Sequence, residues 1–284
     1  MNLRAGLVVL LAIAFVGSSV LAEATPPSER YLLLLKRHSE DQDGDRGRGS
    51  SDDNDGIVVR YLGSSDGGQD LEYDLPDEAT SRDREAAWQF PAKIRVSSDG
   101  SMILLNMADL ERRRDRFLKK AGWSKQICGR WIFTWNAFKI ECDPLSAFGI
   151  VEAFQAQPKL LADGAPFAMK GAVGAALMRC APATGGGQKC TVALLLDADA
   201  TRRELAEADV VIGDLTGKPI SVAAAAKKRA ETQIRGTVEV TFEADAAGVV
   251  ERRTIVIHSE QLGPVGEKRT TFSTAILTRT KLKS

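Results

Sequence analysis

The longest apolar run of the chain lies at its amino terminus. Ala5–Val16 is a succession of 12 apolar residues, preceded by Arg4 and followed by small residues that end at Ala22. A basic residue, a short apolar stretch and a small-residue cleavage site, in this order, are typical of a secretory signal peptide. The run is shorter than the roughly 20 residues that a membrane-spanning helix needs. We therefore predict that residues 1–22 are a signal peptide, cut after Ala22.

Short apolar or alternating runs predict strands in the next part of the chain. Tyr31–Leu35, Ile57–Leu62 and Leu71–Leu75 are separated by polar, Gly-rich segments, which is typical of antiparallel strands. A further extended stretch is expected over Trp88–Val96. Glu40–Gly56, between the first two runs, contains no apolar residue, and we predict that it is a mobile loop.

The clearest helix is predicted over residues 107–121. Its apolar residues recur at helical spacing, Asn106 stands where a cap is expected, and Gly122 follows its end. Weaker patterns predict three more helices and one brief strand. The helices are Asp143–Gln155, Ala200–Ala208 capped by Asp199, and Ser221–Ala230, and the strand is Val210–Ile212.

The carboxyl-terminal third alternates between apolar and polar residues. Thr237–Phe242, Val249–Ile257 and Thr270–Thr278 are predicted to form a three-strand meander, with Gly-containing turns between the strands. Val238, Val240 and Phe242 share one face of the first strand. Ile255 and Ile257 share a face of the second, and Phe272 and Ile276 are predicted to point inward from the third.

These elements together predict an α+β protein. Antiparallel sheet would be present at both ends of the sequence, with a few helices packed on one face. We divide the mature chain into a β-rich region, 23–165, which contains helix 107–121, and an α+β region, 166–284, which contains the meander. Either the two regions form one continuous domain, or they are two units joined near Leu160–Gly171.

Composition excludes some classes of function. Hydrophobic residues make up 44% of the chain and charged residues 27%, which is ordinary for a globular protein. The formal net charge is +0, so a general attraction to nucleic acid or to anionic membranes is not indicated. Aromatic residues are only 6%, which disfavours a surface that stacks sugars or bases.

The four cysteines fit an exported protein. Their spacing favours the pairs Cys128–Cys142 and Cys180–Cys190, although four cysteines allow three pairings. Disulfides are the expected state of such thiols in an oxidising compartment. A zinc site would need CxxC-like or Cys/His spacing, which is absent, so we predict no metal and no cofactor.

Two segments are candidate binding sites. Trp131, Phe133 and Trp135 lie in an aromatic segment between two cysteines and would line an apolar ligand pocket, or else form the core of a small sheet. The polar side of the predicted helix 107–121 would bind an anionic partner, or else form a solvated face with internal ion pairs. Its basic residues are Arg112, Arg113, Arg116, Lys119 and Lys120.

Other candidate chemistry is incomplete. Asp41, Asp43 and Asp45 match the first three ligand positions of a calcium loop, but Arg46 stands where the loop requires Gly and Asp52 where it requires Glu. The two histidines, His38 and His258, are far apart in sequence. No nucleophile elbow, HExxH zinc motif, P-loop or dinucleotide fingerprint is present, so we predict no catalytic residue.

The sequence therefore favours an exported protein, periplasmic or secreted, with no membrane span in its mature chain. Its predicted role is that of a non-catalytic binding module for an apolar or amphipathic ligand, or for a partner protein of the cell envelope. One alternative is an envelope hydrolase that uses paired carboxylates. Another is a partner-dependent assembly factor that uses the basic helix. The nature of the ligand or partner stays open.

Overall fold

A computed structural model describes residues 29–44, 47–65, 67–97, 99–133, 137–264 and 266–283. In this part of the chain the protein combines β-strands with α-helices, and the sheets are antiparallel, as the sequence predicts for an α+β protein. The strands are β1 (Arg30–Asp43), β2 (Arg48–Ser65), β3 (Gly68–Asp74), β4 (Ala92–Ser97), β5 (Met102–Leu104), β6 (Trp131–Phe133), β7 (Ala137–Lys139), β8 (Pro166–Phe167), β9 (Ala176–Leu177), β10 (Arg179–Pro182), β11 (Gln188–Leu195), β12 (Gln233–Ala244), β13 (Val250–Leu262) and β14 (Lys268–Lys281). The helices are α1 (Ser81–Ala86), α2 (Met107–Lys120), α3 (Ser146–Ala153), α4 (Ala198–Leu215) and α5 (Val222–Arg229).

One large sheet of ten strands organises the molecule. Its strand order is β10-β11-β12-β13-β14-β1-β2-β3-β4-β5, and β6-β7 and β8-β9 form separate two-stranded sheets. The first strand, β1, pairs with the last, β14, so that both ends of the described chain meet in the middle of the sheet. β12, β13 and β14 pair in succession, joined by short turns.

The two faces of the sheet differ in chemistry, because successive residues of a strand point to opposite sides. Leu35 of β1 and Leu277 of β14 lie opposite each other and are buried on the side against which α2 and α3 pack, which we call the covered face. Lys36 and His38 of β1, with Thr274 and Ile276 of β14, lie on the other side, which we call the open face.

Two apolar cores occupy the covered face. The first packs residues of α2 and α3 against the central strands, and its buried members include Leu35, Ile57, Leu110, Val151 and Leu277. The second is built on alternate residues of β11 and β12, and its buried members include Met178, Val192, Leu194, Val238, Val240 and Phe242. Ala156, just after α3, packs against both cores and connects them.

The helix predicted at 107–121 is confirmed as α2, Met107–Lys120. Asn106 precedes it but does not cap it through its side chain. Its Oδ1 instead accepts a hydrogen bond from the backbone N–H of Lys93 over 2.9 Å, and its Nδ2 donates to the carbonyl of Pro91 over 3.0 Å. Asn106 therefore fixes the start of α2 to β4.

In the second half of the chain, one predicted helix is confirmed, but the cap predicted for it and the strand predicted after it were wrong. The helix predicted over Ala200–Ala208 is the longer α4, and its cap is Asp197 rather than Asp199, because the Asp197 side chain accepts from two backbone N–H groups of the first turn. The strand predicted over Val210–Ile212 is part of α4. The β-branched residues there suit a strand locally, but the helix places Asp209 against α5, where it forms ion pairs with Lys228 and Arg229.

The mobile loop predicted over Glu40–Gly56 was also wrong. Its described residues extend β1 to Asp43 and β2 back to Arg48, and Arg37, next to the first apolar run, pairs with Asp53 across the two strands. We call Lys36–Asp43 and Arg48–Gly56 the distal hairpin. Its stability comes from backbone pairing and cross-strand ion pairs instead of apolar burial, which is why apolar patterning misses it.

The inward direction predicted for Phe272 and Ile276 was wrong as well. Phe272 is 42% exposed, and Leu277, one residue after Ile276, is 1% exposed and belongs to the first core. In a strand with apolar residues on both faces, the alternation does not indicate which set is buried. By contrast, the three residues predicted to share a face of β12, Val238, Val240 and Phe242, are all buried.

Both predicted disulfides are present. Cys128–Cys142 closes the base of the β6-β7 hairpin, and Cys180–Cys190 joins directly paired residues of β10 and β11. The Cys128–Cys142 segment thus contains a strand pair, β6-β7, with the disulfide at its base. Over the described ranges, no helix is long and apolar enough to cross a membrane.

Candidate functional site

A shallow depression of about 400 Å³ lies on the central strands, at the base of the distal hairpin. Alternate residues of β1, β2 and β14 project into it from the open face, with the neighbouring Arg37 and Asp53 at its border. We call this feature the central depression. It is lined by Lys36, Arg37, His38, Asp52, Asp53, Asn54, Thr274 and Ile276.

One cross-strand row gives the depression both an apolar and a polar part. Lys36 of β1 stands directly opposite Asn54 of β2 on one side and Ile276 of β14 on the other. The Lys36 side chain has no hydrogen-bond or ion-pair partner among the residues that the structure describes. Residues directly opposite each other have their Cβ atoms about 5 Å apart, so an ammonium, a carboxamide and a butyl group are available together to a bound molecule.

The next row carries a histidine held by two carboxylates. His38 Nδ1 lies 2.8 Å from Asp52 Oδ1, and His38 Nε2 lies 3.1 Å from Glu40 Oε1. Asp52 is the cross-strand partner of His38 on β2, whereas Glu40 lies two residues after His38 on the same face of β1. The hydrogen bonds to Asp52 and then to Glu40 raise the pKa of His38 above its ordinary value.

A second ion-pair cluster holds the same hairpin from the covered side. Nη1 of Arg37 lies 2.6 Å from Asp53 Oδ2 and 2.7 Å from Asp55 Oδ2. All three side chains are substantially exposed. Counted over both faces, this part of the hairpin carries three cationic groups and four carboxylates, so negative charge is in slight excess. The cations are those of Lys36, Arg37 and His38, and the carboxylates are those of Glu40, Asp52, Asp53 and Asp55.

The two histidines of the chain share the open face. Phe272 of β14 lies directly opposite His258 of β13 and, on its other side, directly opposite Glu40 of β1, which contacts His38. The histidines are thus two strands apart, with the exposed Phe272 ring in between. His258 has no side-chain hydrogen bond or ion pair within the described ranges, which distinguishes it from His38.

The predicted aromatic site is described only in part. Trp131, on β6, is 40% exposed, and β6 lies beside α4. The side chain of Phe133 and the whole of Trp135 lie outside the part of the chain that the structure describes. An apolar pocket at Trp131, Phe133 and Trp135 therefore stays a prediction.

The predicted basic patch on α2 divides into two kinds of residue. Arg113 is half-buried and bonded to Asp109 and to the carbonyl of Phe90, so it holds the helix in place. The other four, Arg112, Arg116, Lys119 and Lys120, are exposed. Arg112 pairs with Asp109 and Lys120 with Glu85, while Arg116 and Lys119 have no carboxylate partner within the described ranges.

The acidic segment considered for calcium does not form a ligand loop in its described part. Asp41 and Asp43 lie in β1, and the Asp41 carboxylate bonds to Arg269 and Thr271 of β14. Asp45 and Arg46 lie outside the described residues. Among the residues that are described, no group of three or more His, Cys, Asp or Glu side chains is arranged to hold a metal ion.

The residues at the centre of the depression were not predicted as a site. Lys36, Asn54 and Thr274 are ordinary polar residues, and Ile276 was expected in the core. The available signal was weak: alternation places Lys36 on the face opposite to Leu33 and Leu35, but Leu32 and Leu34 share its face, so the sequence does not indicate which set is buried. The partners on β2 and β14 are tertiary information that no local pattern contains.

Comparison with known proteins gives no assignment. No family model matches the sequence, and no curated protein matches it. Among solved structures, one of lipovitellin, determined to study its lipid–protein interactions, aligns over 91% of this chain and 26% of its own, with 10% identity and a TM-score of 0.41. A conserved hot dog fold protein of unknown function from Alicyclobacillus acidocaldarius aligns over 92% of this chain and 83% of its own, with 9% identity and a TM-score of 0.12. This chain thus spans about a quarter of the lipovitellin chain, and both scores are too low to assign a fold or a function.

Proposed function

We propose that this protein is a non-catalytic binding module that holds an amphipathic ligand in the central depression. The observation that supports this role is the row Asn54–Lys36–Ile276, which joins an apolar floor to an unpaired cation and an amide. An apolar group of the ligand would cover Ile276. A headgroup that carries both a positive and a negative charge would stay at the rim, where it meets Lys36 and the nearby carboxylates without losing its water.

The shape of the depression favours this ligand class over a wholly apolar one. Pockets for apolar small molecules enclose most of the ligand surface. This depression is open, so a fully apolar molecule would leave much of its surface in water. An amphipathic molecule, or an amphipathic segment of a partner protein, needs only one side covered.

We place this function outside the cytoplasm. Two disulfides persist where the medium is oxidising, and the predicted signal peptide would deliver the chain there. Residues 1–22 lie outside the described residues, so cleavage after Ala22 stays a prediction. The intact mass of the protein from the periplasm or medium tests it, because the expected chain begins at Glu23.

Binding can be located with dodecylphosphocholine as the probe, at concentrations below its micelle formation. We expect amide shifts of Lys36, Asn54 and Ile276 to move on titration. Movement confined to the Trp131 hairpin would contradict the proposed site and favour the aromatic segment instead. Native mass spectrometry of protein purified without detergent complements this titration: a bound mass lost on denaturation would identify the natural ligand.

A matched pair of variants tests the floor of the depression. Ile276→Ser removes apolar contact, and we expect it to weaken binding of the probe by about five- to tenfold, from the loss of roughly 1 kcal/mol of apolar burial. Leu195→Ser makes the same kind of change at an exposed residue of β11, well away along the sheet on the same face, and should leave binding unchanged. Equal effects of both variants would contradict the site.

The alternatives have weaker support. The hydrolase hypothesis predicts two carboxylates that converge in a polar cleft. Asp53 and Asp55 converge on Arg37, and Asp52 and Glu40 on His38, but all four carboxylates lie at an exposed surface. The assembly-factor hypothesis has one observation in its favour, the cations Arg116 and Lys119 on α2, which lack carboxylate partners in the described part of the chain. Pull-downs with Arg116→Glu/Lys119→Glu and with the paired Lys120→Glu as control would test it.

A further inference from the structure

We propose that the proton on His38 controls the central depression: the imidazolium ties the two strands of the distal hairpin together, and loss of the proton loosens the hairpin and removes one positive charge from the rim. The binding consequence rests on the proposed function. The conformational consequence does not, and it can be measured on the protein without any ligand.

The geometry requires both ring nitrogens to donate. Asp52 and Glu40 are both carboxylates, and both lie within hydrogen-bond distance of the ring, at 2.8 and 3.1 Å. Only the imidazolium has two N–H groups, whereas neutral histidine has one. Loss of the proton therefore leaves one carboxylate facing a ring nitrogen that bears a lone pair, which is repulsive.

No other cation replaces His38 there, within the described ranges. From β14, the uncharged Thr274 stands opposite His38, and Phe272 stands opposite Glu40. Lys36 lies on the same face of β1 but contacts neither carboxylate, and Arg37 is held by carboxylates on the other face. In the described part of the chain, His38 is thus the single side-chain partner of both carboxylates.

The segment that would move has little other support. Arg48–Gly56 of β2 pairs only with β1, because β3 begins to pair with β2 at Val58. All of these residues except Gly56 are exposed. Regions with few buried apolar contacts open at low free-energy cost. One hydrogen bond is therefore a large share of the free energy that keeps Arg48–Gly56 paired.

The sign of the pH dependence follows from the folded state. Asp52 and Glu40 raise the pKa of His38. The stabilisation is therefore complete below the ordinary histidine value of about 6.5, and it is lost as the pH rises through the higher folded value.

Amide hydrogen exchange of the ligand-free protein at about pH 5.5 and about pH 8.5, corrected for intrinsic rates, tests the conformational step. We expect amides of the distal hairpin to exchange about two- to fivefold faster at the higher pH, the factor that an exposed ion pair supports, and β12 amides to keep their rates. His38→Gln should remove this difference. His258→Gln, the same change two strands away on the same face, should retain it.

NMR titration of the two histidine rings gives a second readout that needs no variant to fold. We expect one ring to titrate clearly above about 6.5, and the His258→Gln spectrum to assign that signal to His38. The proposal would be overturned if the titration midpoint of the His38 ring lay at or below this value. It would also be overturned if the corrected amide exchange rates of the distal hairpin did not change with pH.

Binding of dodecylphosphocholine at the two pH values separates the proposals. A hairpin that loosens with pH in a protein that binds no probe would leave the His38 switch standing and reject the proposed function. Binding of equal strength at both pH values, with unchanged exchange, would reject the switch and keep the function.

Discussion

Arg253 of β13 donates a hydrogen bond from Nη2 to the carbonyl oxygen of Ala153, the last residue of α3, over 3.0 Å, and a second one to the carbonyl of Gln155. The last carbonyls of a helix lack partners within it and carry partial negative charge. Arg253 lies on the covered face between Phe242 of the second core and Leu277 of the first. Arg253 therefore holds the end of α3, which packs on the first core, at the boundary between the two cores.

Loss of this guanidinium should destabilise the whole domain. Burial lowers the pKa of Arg253, so its contacts are made in a desolvated setting and two carbonyls would be left unpaired by Arg253→Ala. We expect a loss of about 2 kcal/mol in the free energy of unfolding, measured in urea. The neighbouring Arg252→Ala, on the open face and exposed, should cost less than about 0.5 kcal/mol. Similar costs for both variants would contradict this role of Arg253.

Adjacent residues of β14 should differ sharply in their contribution to stability. Leu277 lies in the first core, so Leu277→Ala should cost about 3 kcal/mol through lost burial and the cavity that remains. Ile276 lies on the open face, so Ile276→Ala should cost under about 1 kcal/mol. Urea unfolding of the two variants checks this, and the reverse order would mean that the register of β14 is off by one residue.

The pairing of α4 with α5 should depend on one ion pair. Arg229 donates from Nε and Nη2 to the two carboxylate oxygens of Asp209 over 2.8 and 2.6 Å, and the Asp209 side chain is 11% exposed. We expect Asp209→Ala to cost about 2 kcal/mol, and a double-mutant cycle with Arg229→Ala to recover most of that as coupling energy. A coupling energy near zero would mean that the two side chains stabilise the helices independently.

Acid should weaken the same contact. The hydrogen bonds from Arg229 lower the pKa of Asp209. Its contribution to stability is therefore fully present above the ordinary aspartate value of about 3.9 and is lost as the pH falls through the lower folded value. Stability curves of wild type and Asp209→Asn should converge at acidic pH. If the stability difference between wild type and Asp209→Asn grew as the pH fell, the predicted direction of the pH dependence would be wrong.

The disulfide that clamps β6 and β7 should matter for stability and be visible by mass. Cys128 and Cys142 are separated by 14 residues, and closing a loop of this size stabilises by about 3 kcal/mol in the chain-entropy account. We expect Cys128→Ser/Cys142→Ser to lose that amount in urea unfolding. Reduction of the wild type should add two hydrogens for each of the two bridges, and an unchanged intact mass would contradict both.

The parts of the fold that could be predicted are those governed by local patterns. The spacing of Leu110 and Leu118 indicates α2, and the alternation of Val238 and Val240 indicates the buried side of β12. Gly248, with φ of 77°, is the turn residue expected between β12 and β13. In each case the residues that decide the structure are neighbours in sequence.

The distal hairpin and the depression could not be predicted in this way. The hairpin is held by charged pairs such as Arg37 with Asp53, whose residue types are also those of disordered segments. The depression exists because Lys36 meets Ile276 from the far end of the chain. A pairing between residues so far apart in sequence cannot be inferred from local sequence patterns.

The order of the strands has a consequence for when this protein can fold. β1 and β14 are neighbours, so contacts such as Thr278 Oγ1 with the Leu34 carbonyl span 244 residues. Contacts between segments so distant form slowly, because a long loop must close first. A chain that leaves a ribosome or a membrane channel from its amino end can pair β1 with β2 early, but the other edge of β1 stays unpaired until β14 emerges beside it. The ten-stranded sheet can therefore be completed only after β14 has emerged, and the exposed edge of β1 needs protection from aggregation until then.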